Sequence, residues 1–273
     1  MKSKFYLIIA FLIVCFGHEV SAQGDLLITP NRVVFEGRKQ KEGLNLINTG
    51  KETTTYSVSF VQRRMNEDGS FERIEEPDPG QMFATPYLRI YPRQVTLAPG
   101  EAQVVMLQYT RKPDMFDGEY RSHLYFRSEK NYSPLGAEEK ENPKAVSVQL
   151  IPIFGMSIPV IIRSGNVSAN AILTDLKVEE LEDTKLSFAL NRTGNISVYG
   201  DLKIEYIPVK GKPYEVGAMK GVAVYTNLTK REVSIKLNIT PGMSLKNGKL
   251  KVSYTSRDDA KKQEIFAEAE LEL

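Results

Sequence analysis

Apolar residues alternate with other residues along one long stretch near the middle of the chain. Between Ala145 and Arg163 every even-numbered residue is apolar, whereas the first odd-numbered ones, Ser147 and Gln149, are polar. A period of two predicts a β-strand with one buried face. The run is far longer than the usual strand of about five or six residues. We therefore expect it to extend past its own sheet and to be available to another chain by β-strand addition.

Shorter alternating or β-branched segments recur along the rest of the chain, and no segment shows sustained helical periodicity. The predicted strands occupy residues 26–35, 43–47, 55–62, 87–90, 103–109, 120–127, 171–178, 185–190, 197–207, 222–225, 233–239, 249–255 and 264–273. Segment 44–50 is echoed by segment 188–194, which favours two related units in tandem. The pattern predicts an all-β chain of two β-sandwich domains.

The start of the chain predicts export. Lys2 and Lys4 precede an apolar stretch, 5–16, that is too short to span a bilayer, and small residues precede Gln23. We expect residues 1–22 to be a secretory signal peptide that is removed. No other apolar stretch is long enough to cross a membrane. With the signal peptide removed, the two expected domains are residues 23–163 and 164–273.

Charge and residue chemistry exclude several classes of function. The 36 basic and 34 acidic residues nearly balance, so nothing favours nucleic acid or an anionic surface as a partner. The only cysteine, Cys15, lies in the predicted signal peptide, so we expect no disulfide. His123 is the one histidine beyond it and lacks a nearby nucleophile motif, and we interpret it as a surface residue. No spacing of ligands indicates a metal. We expect neither enzyme activity nor a cofactor.

Arg32 is the one charged residue within the predicted first strand, 26–35. Its position in the alternation matches Ile28 and Val34, which places a guanidinium on the apolar face. A buried cation without a partner is costly. Arg32 therefore either lines a cleft and binds a partner there, or lies at an edge and extends its charged end into water.

Four segments, taken in order, resemble the PapD-like periplasmic chaperones of pilus assembly. They are Asn-Arg-Val-Val-Phe-Glu-Gly at 31–37, Leu-Ile-Asn-Thr-Gly at 46–50 with Tyr56, the run from Leu-Arg-Ile-Tyr-Pro through Leu-Ala-Pro-Gly-Glu-Ala-Gln-Val-Val at 88–105, and the strand 149–163. The match covers residues 24–163, and residues 165–273 fit by length and β pattern. The resemblance implies two immunoglobulin-like domains, a periplasmic location, and a last strand of the first domain that is lent to an incomplete pilin subunit.

The resemblance also implies a set of binding residues. In the lent strand these are the even-numbered positions Val146, Val148, Leu150, Pro152 and Phe154. Arg32 matches an arginine that anchors the subunit's C-terminal carboxylate, together with a lysine of the lent strand. Pro159 stands in place of that lysine, and Arg163 lies roughly 13 Å further along the strand, too far to complete the same clamp. The remaining candidates for the second cation are Arg121 and Arg111. Met106 is a further departure, because the family usually has an arginine there.

We therefore expect an ATP-independent chaperone that binds pilin-like or other secreted envelope subunits by donor-strand complementation. The alternative is a non-catalytic, two-domain structural or adaptor protein of the cell envelope. An outer-membrane assembly platform and a second copy of the chain, which would cap the free donor strand, are further partners that the resemblance implies.

Overall fold

The computed structural model describes residues 26–129, 154–180, 183–239, 245, 247–257 and 264–273. The predicted signal peptide lies outside the described residues, and so do four of the predicted partner-binding residues, Val146, Val148, Leu150 and Pro152. In the part of the chain that is described, no helix is long and apolar enough to cross a membrane.

The first half of the chain forms two sheets. Its strands are β1 (Leu26–Thr29), β2 (Val33–Phe35), β3 (Lys41–Asn48), β4 (Thr54–Met65), β5 (Phe71–Ile74), β6 (Leu88–Tyr91), β7 (Gln94–Leu97), β8 (Ala102–Tyr109), β9 (Gly118–Ser128) and β10 (Gly155–Ser164), with a 3₁₀ turn at Thr85–Tyr87. One sheet has the order β1-β3-β8-β6. The other has the order β2-β10-β9-β4-β5, with β7 paired to β4.

The second half repeats this arrangement with two further sheets. Its strands are β11 (Ala169–Glu180), β12 (Thr184–Gly194), β13 (Val198–Pro208), β14 (Tyr214–Val224), β15 (Lys230–Lys236), β16 (Gly248–Thr255) and β17 (Ile265–Glu272). The sheets have the orders β11-β12-β15 and β14-β13-β16-β17.

Each half has its own apolar core between its two sheets. In the first half, Leu46 and Leu107 of one sheet meet Phe35 and Phe126 of the other, and the cluster ends at Ile162. The second cluster shares no residue with the first and runs in sequence from Ala171 to Tyr254. Alternating burial along the strands supplies these cores, as along β16, where every second side chain is buried. The predicted all-β class with two sandwiches is confirmed, whereas the domain boundary between residues 163 and 164 stays a prediction.

The predicted strand 26–35 is wrong, because the structure divides it into β1 and β2. Pro30 has no N–H to continue the pairing with β3, so that ladder ends at Thr29. The chain then crosses to the opposite sheet, where β2 pairs in parallel with β10. Val33 and Phe35 are buried after the crossing, so the alternation restarts on odd numbers. Arg32 consequently lies in the connection between two strands and not on the apolar face of one.

The two halves are packed against each other through the β4–β5 hairpin. Asn227 Nδ2 donates a hydrogen bond of 2.9 Å to the carbonyl of Met65, and the Glu232 N–H donates one of 2.7 Å to the carbonyl of Glu67. Met65 is buried together with Ala223 and Tyr225 of the second half. Sequence patterns did not predict β5, because its four residues include two charged ones and all are at least partly exposed.

Candidate functional site

The apolar face of β10 is buried in the core along most of the strand but is exposed at the start of the strand. Ile158, Val160 and Ile162 are buried in the core of the first half. Met156, next on the same face, is 39% exposed, and Phe154, which directly precedes β10, is 54% exposed. The face that packs inside the protein at one end of the strand is therefore presented to solvent at the other.

The backbone of the same segment has an open edge. β10 pairs with β9 along its whole length, but β2 covers only Val160–Ile162 on the other side. The Ser128 N–H donates to the Phe154 carbonyl at 3.0 Å, so the backbone groups of Phe154 face β9 in the antiparallel ladder. By alternation, the N–H and C=O groups of Gly155 and Ser157 point away from β9. Among the described residues no strand pairs with them, and such an edge is a template for an added strand.

The same alternation of backbone directions explains why a proline is tolerated inside β10. Pro159 lies opposite His123 in the pairing with β9. In this register the backbone nitrogen of Pro159 faces away from β9, so the missing N–H removes no hydrogen bond from that ladder. The residue that replaces the expected lysine is therefore compatible with a continuous strand.

Arg32 lines a cleft between the two halves of the chain. The cavity has a volume of about 690 Å³. Its wall includes Arg32, Val34, Arg163, Ser197, Tyr199 and Arg257. The Arg32 guanidinium carbon lies 4.1 Å from the centroid of the Tyr199 ring, within the range of a cation–π contact. Of the two positions considered for Arg32 from the sequence, a cleft and an exposed edge, the structure places it in a cleft.

Arg32 makes no direct ion pair with a carboxylate within the described ranges, although its side chain is only partly exposed. Desolvation by burial and the nearby charge of Arg121 together lower the pKa of Arg32 to about 10, although Glu119, Tyr225 and Tyr199 act in the opposite direction. Arg32 is still a cation at neutral pH, so the cleft presents a desolvated positive charge that an anionic group would stabilise.

The three other arginines considered from the sequence have different surroundings. Arg163 lines the same cavity as Arg32 and makes a 3.4 Å ion pair with the exposed Glu36. Arg111 is exposed and lines a separate cavity. Arg121 is buried and faces an acidic partner inside the protein. Of these three arginines, only Arg163 shares the cleft with Arg32.

Arg121 belongs to a buried polar cluster that joins the two halves. Its Nη2 atom lies 2.6 Å from Glu119 Oε1 and 2.7 Å from Ser197 Oγ. Glu119 Oε2 accepts hydrogen bonds from the backbone N–H and the hydroxyl of Ser197 at 3.1 and 2.7 Å. The Arg121 guanidinium also lies 3.6 Å from the Tyr225 ring centroid. Burial by itself would raise the pKa of Glu119, but the charge of Arg121 and these hydrogen bonds outweigh it, and the pKa is lowered.

The interpretation of His123 as a surface residue is wrong. Its side chain is buried, with 4% exposure, because Tyr225 of the second half and Phe71 of β5 pack against its ring. Its Nε2 atom lies 3.4 Å from the Tyr225 hydroxyl. Desolvation lowers the pKa of His123 to about 3, with further contributions from Arg121, Arg63 and Arg32, so the ring is neutral at physiological pH.

Tyr199 and Arg257 were not found by reasoning from the sequence. Tyr199 occupies an ordinary alternating strand, and Arg257 follows the end of β16, so neither carries a local signal. They reach Arg32 only because the second half folds against the first. Within the described residues, no three histidine, cysteine, aspartate or glutamate side chains form a group that could hold a metal ion.

No protein-family model and no curated protein sequence matches the chain. Several solved structures are similar to it. The YadV chaperone is 14% identical with a TM-score of 0.46, and the similarity covers 92% of this chain and 100% of that one. The CsuC–CsuE chaperone–tip adhesion subunit complex from Acinetobacter baumannii is 15% identical with a TM-score of 0.43, covering 89% of this chain and 97% of that one. The Pseudomonas aeruginosa CupB2 chaperone is 14% identical with a TM-score of 0.42, covering 90% and 100%.

Proposed function

We propose that this chain is a periplasmic, ATP-independent chaperone that binds a pilus- or fimbria-type subunit by lending it the strand that leads into β10. The observation that carries the proposal is the exposure of Met156 and Phe154, which continue the buried apolar face of β10 outside the core beside an open backbone edge. A long apolar edge is normally a hazard for aggregation. It has a use where an incomplete sheet of another protein accepts it.

Both the side chains and the backbone of this segment can contribute to binding. Full burial of a side chain of this size is worth about 1.5–3 kcal/mol, so the exposed fractions of Phe154 and Met156 give about 1–3 kcal/mol together. Each new backbone hydrogen bond of Gly155 or Ser157 adds about 0.5–1.5 kcal/mol net. The predicted partner-binding residues further along, Val146, Val148, Leu150 and Pro152, would extend the same apolar face. Part of this gain offsets the cost of ordering the strand.

Arg32 is proposed as the anchor for the C-terminal carboxylate of the subunit. Its guanidinium is positioned by the Tyr199 ring, lines a cleft and has no carboxylate partner among the described residues. A charge-assisted, two-pronged hydrogen bond to a carboxylate suits this group. The anchor would fix the register in which the lent strand enters the subunit.

The test is capture of a pilin-like subunit from the same genome by two strand variants, Phe154→Asp and Met156→Asp. Each places a carboxylate where an apolar groove of the subunit should receive the strand, at a cost of several kcal/mol. Val209→Asp is the matched control, because Val209 is 77% exposed in the second half, away from β10. We expect the two strand variants to lose the complex and the control to keep it, with unchanged thermal unfolding of all three.

Capture by both strand variants at the level of the control would refute the lending of this strand. It would favour the alternative of a structural or adaptor protein of the envelope. Loss of binding together with loss of folding would also contradict the proposal, because it would make the exposed face part of the core.

A further inference from the structure

We propose that Tyr125 and Arg127 of β9 recognise one side chain of the bound subunit across the open edge of β10. In this inference, which rests on the proposed chaperone function, the subunit residue that pairs with Gly155 has a short carboxylate side chain. The Tyr125 hydroxyl donates a hydrogen bond to that carboxylate, and the Arg127 guanidinium supplies the opposite charge.

Gly155 leaves a gap in β10 that Tyr125 fills. In the ladder between β9 and β10, Tyr125 pairs with Ser157, and Arg127 pairs with Gly155. A Cβ atom on Gly155 would overlap the hydroxyl and the ring of Tyr125. The Tyr125 ring therefore crosses β10 diagonally and ends over Gly155. Glycine permits this close approach because it has no side chain.

The crossing brings the Tyr125 hydroxyl to the open edge of β10. Gly155 is exposed, and its outward backbone groups have no paired strand among the described residues. A strand added there would lie about 4.8 Å from β10 and would place one residue directly opposite Gly155. Paired residues project their side chains from the same face of a sheet. The side chain of that subunit residue therefore lies on the face that carries the Tyr125 hydroxyl.

The spacing of the strands limits which side chain can reach the hydroxyl. A hydrogen bond from a hydroxyl to an oxygen takes about 2.7 Å of the strand spacing of about 4.8 Å, which leaves about 2 Å from the acceptor to the Cβ atom of the subunit residue. The oxygen of a short carboxylate or amide side chain spans this distance. Within the described part of the chain, the Tyr125 hydroxyl makes no hydrogen bond, so it is available as the donor.

The charge on this face favours a carboxylate over a neutral amide. Arg127 is exposed, lies on the same face as Tyr125, and makes no ion pair with any residue that the structure describes. The next acidic residue of this face, Glu129, instead accepts a hydrogen bond of 2.7 Å from Gln94 Nε2. A cation beside a hydroxyl donor suits an anionic acceptor.

The ring and the hydroxyl of Tyr125 need separate tests. An aromatic ring that covers a glycine stabilises a strand by itself. Tyr125→Phe keeps this cover and removes the donor. A role confined to covering Gly155 therefore predicts that Tyr125→Phe changes nothing, whereas recognition of the subunit predicts weaker binding.

The test is the affinity of the full chain for a pilin-like subunit from the same genome, measured by calorimetry. Thermal unfolding of each variant shows whether folding is kept. The controls lie on β3 and β6 of the opposite sheet, where Tyr91 is 78% exposed. The variants are Tyr125→Phe, Arg127→Gln and Gly155→Ala, and their matched controls are Tyr91→Phe, Arg89→Gln and Gly43→Ala.

We expect Tyr125→Phe to weaken binding by about three- to twelvefold, the loss of one net hydrogen bond. Arg127→Gln should weaken it by about two- to fivefold at low salt, and this loss should shrink as salt screens the charge. Gly155→Ala should weaken binding about as much as Tyr125→Phe, because the new Cβ displaces the hydroxyl. The double variant of these two positions should bind no more weakly than the weaker single variant. The three controls should bind like the wild-type chain.

Three results would overturn the inference. They are equal affinity of Tyr125→Phe and Tyr91→Phe, equal affinity of Arg127→Gln and Arg89→Gln, and additive losses from Tyr125→Phe and Gly155→Ala. If the strand variants Phe154→Asp and Met156→Asp lose the subunit while Tyr125→Phe binds normally, the chaperone function stands and this inference falls. If those strand variants capture the subunit like their control, the proposed function falls and this inference falls with it.

Discussion

Burial of His123 should make the stability of the chain depend on pH between about 3 and 6.5. The histidine has an ordinary pKa of 6.5 when unfolded and a pKa of about 3 in the folded chain. Below pH 6.5 the unfolded chain therefore binds a proton that the folded chain excludes, and the free energy of unfolding falls as the pH falls. The contribution of the neutral, buried His123 to the free energy of unfolding is complete above pH 6.5 and is lost progressively towards pH 3.

The size of the effect follows from the shift in pKa. pH 5 lies about 1.5 units below the pKa of the unfolded histidine. Protonation of the unfolded chain therefore lowers the free energy of unfolding by about 2 kcal/mol at this pH. The charged groups that act on the ring, Arg121, Arg63 and Arg32, are all cations. They oppose protonation of His123 throughout the experiment.

The assay is urea unfolding at pH 7 and pH 5 of the wild-type chain and of His123→Gln, which stays neutral. The difference between the two proteins isolates the histidine, because both share the titration of every carboxylate. On going from pH 7 to pH 5, we expect the free energy of unfolding of the wild-type chain to fall by about 2 kcal/mol more than that of the variant. Equal losses, within about 0.5 kcal/mol, would refute the reasoning and place His123 in contact with solvent.

Substitutions at two further positions test the interface and the cleft. Glu119→Gln should lower the free energy of unfolding by about 3–5 kcal/mol in urea, because it leaves Arg121 buried without its counter-charge; a loss below 1 kcal/mol would show that the pair is not buried as described. Arg32→Ala should weaken subunit binding by about 1.5–3 kcal/mol in calorimetry and leave unfolding nearly unchanged. Arg32→Lys should restore only part of that binding, since lysine lacks the planar two-pronged geometry, and normal binding by Arg32→Ala would exclude the anchor.

Most of the strands and the exposed end of β10 could be predicted because they depend on local alternation. The period of two from residue 145 to 163 anticipates both the buried face at Ile158 and its continuation to Phe154. The break at Pro30 could also have been expected, since proline ends a ladder. A single-strand interpretation missed it because Leu26 to Phe35 is otherwise apolar enough to be read as one element.

The surroundings of the charged residues could not be predicted, because they depend on how the two halves meet. His123 alternates like a surface residue of β9, and it is buried because Tyr225 of the second half and Phe71 of β5 pack against its ring. Arg257 is one of many charged residues near strand ends, and its place beside Arg32 follows from the packing of β16 near the first half. Contacts between residues more than 100 positions apart leave no periodic pattern in a sequence.

Hydrogen–deuterium exchange at the start of β10 tests the lending of this strand most directly. The amides of Gly155 and Ser157 point away from β9, and no strand of the described residues pairs with them. In a one-to-one complex with a pilin-like subunit, strand addition should slow their exchange by about tenfold or more, while the paired amides of Val160–Ile162 change little. A complex that forms while exchange at Gly155 and Ser157 stays as fast as in the free chain would contradict the account.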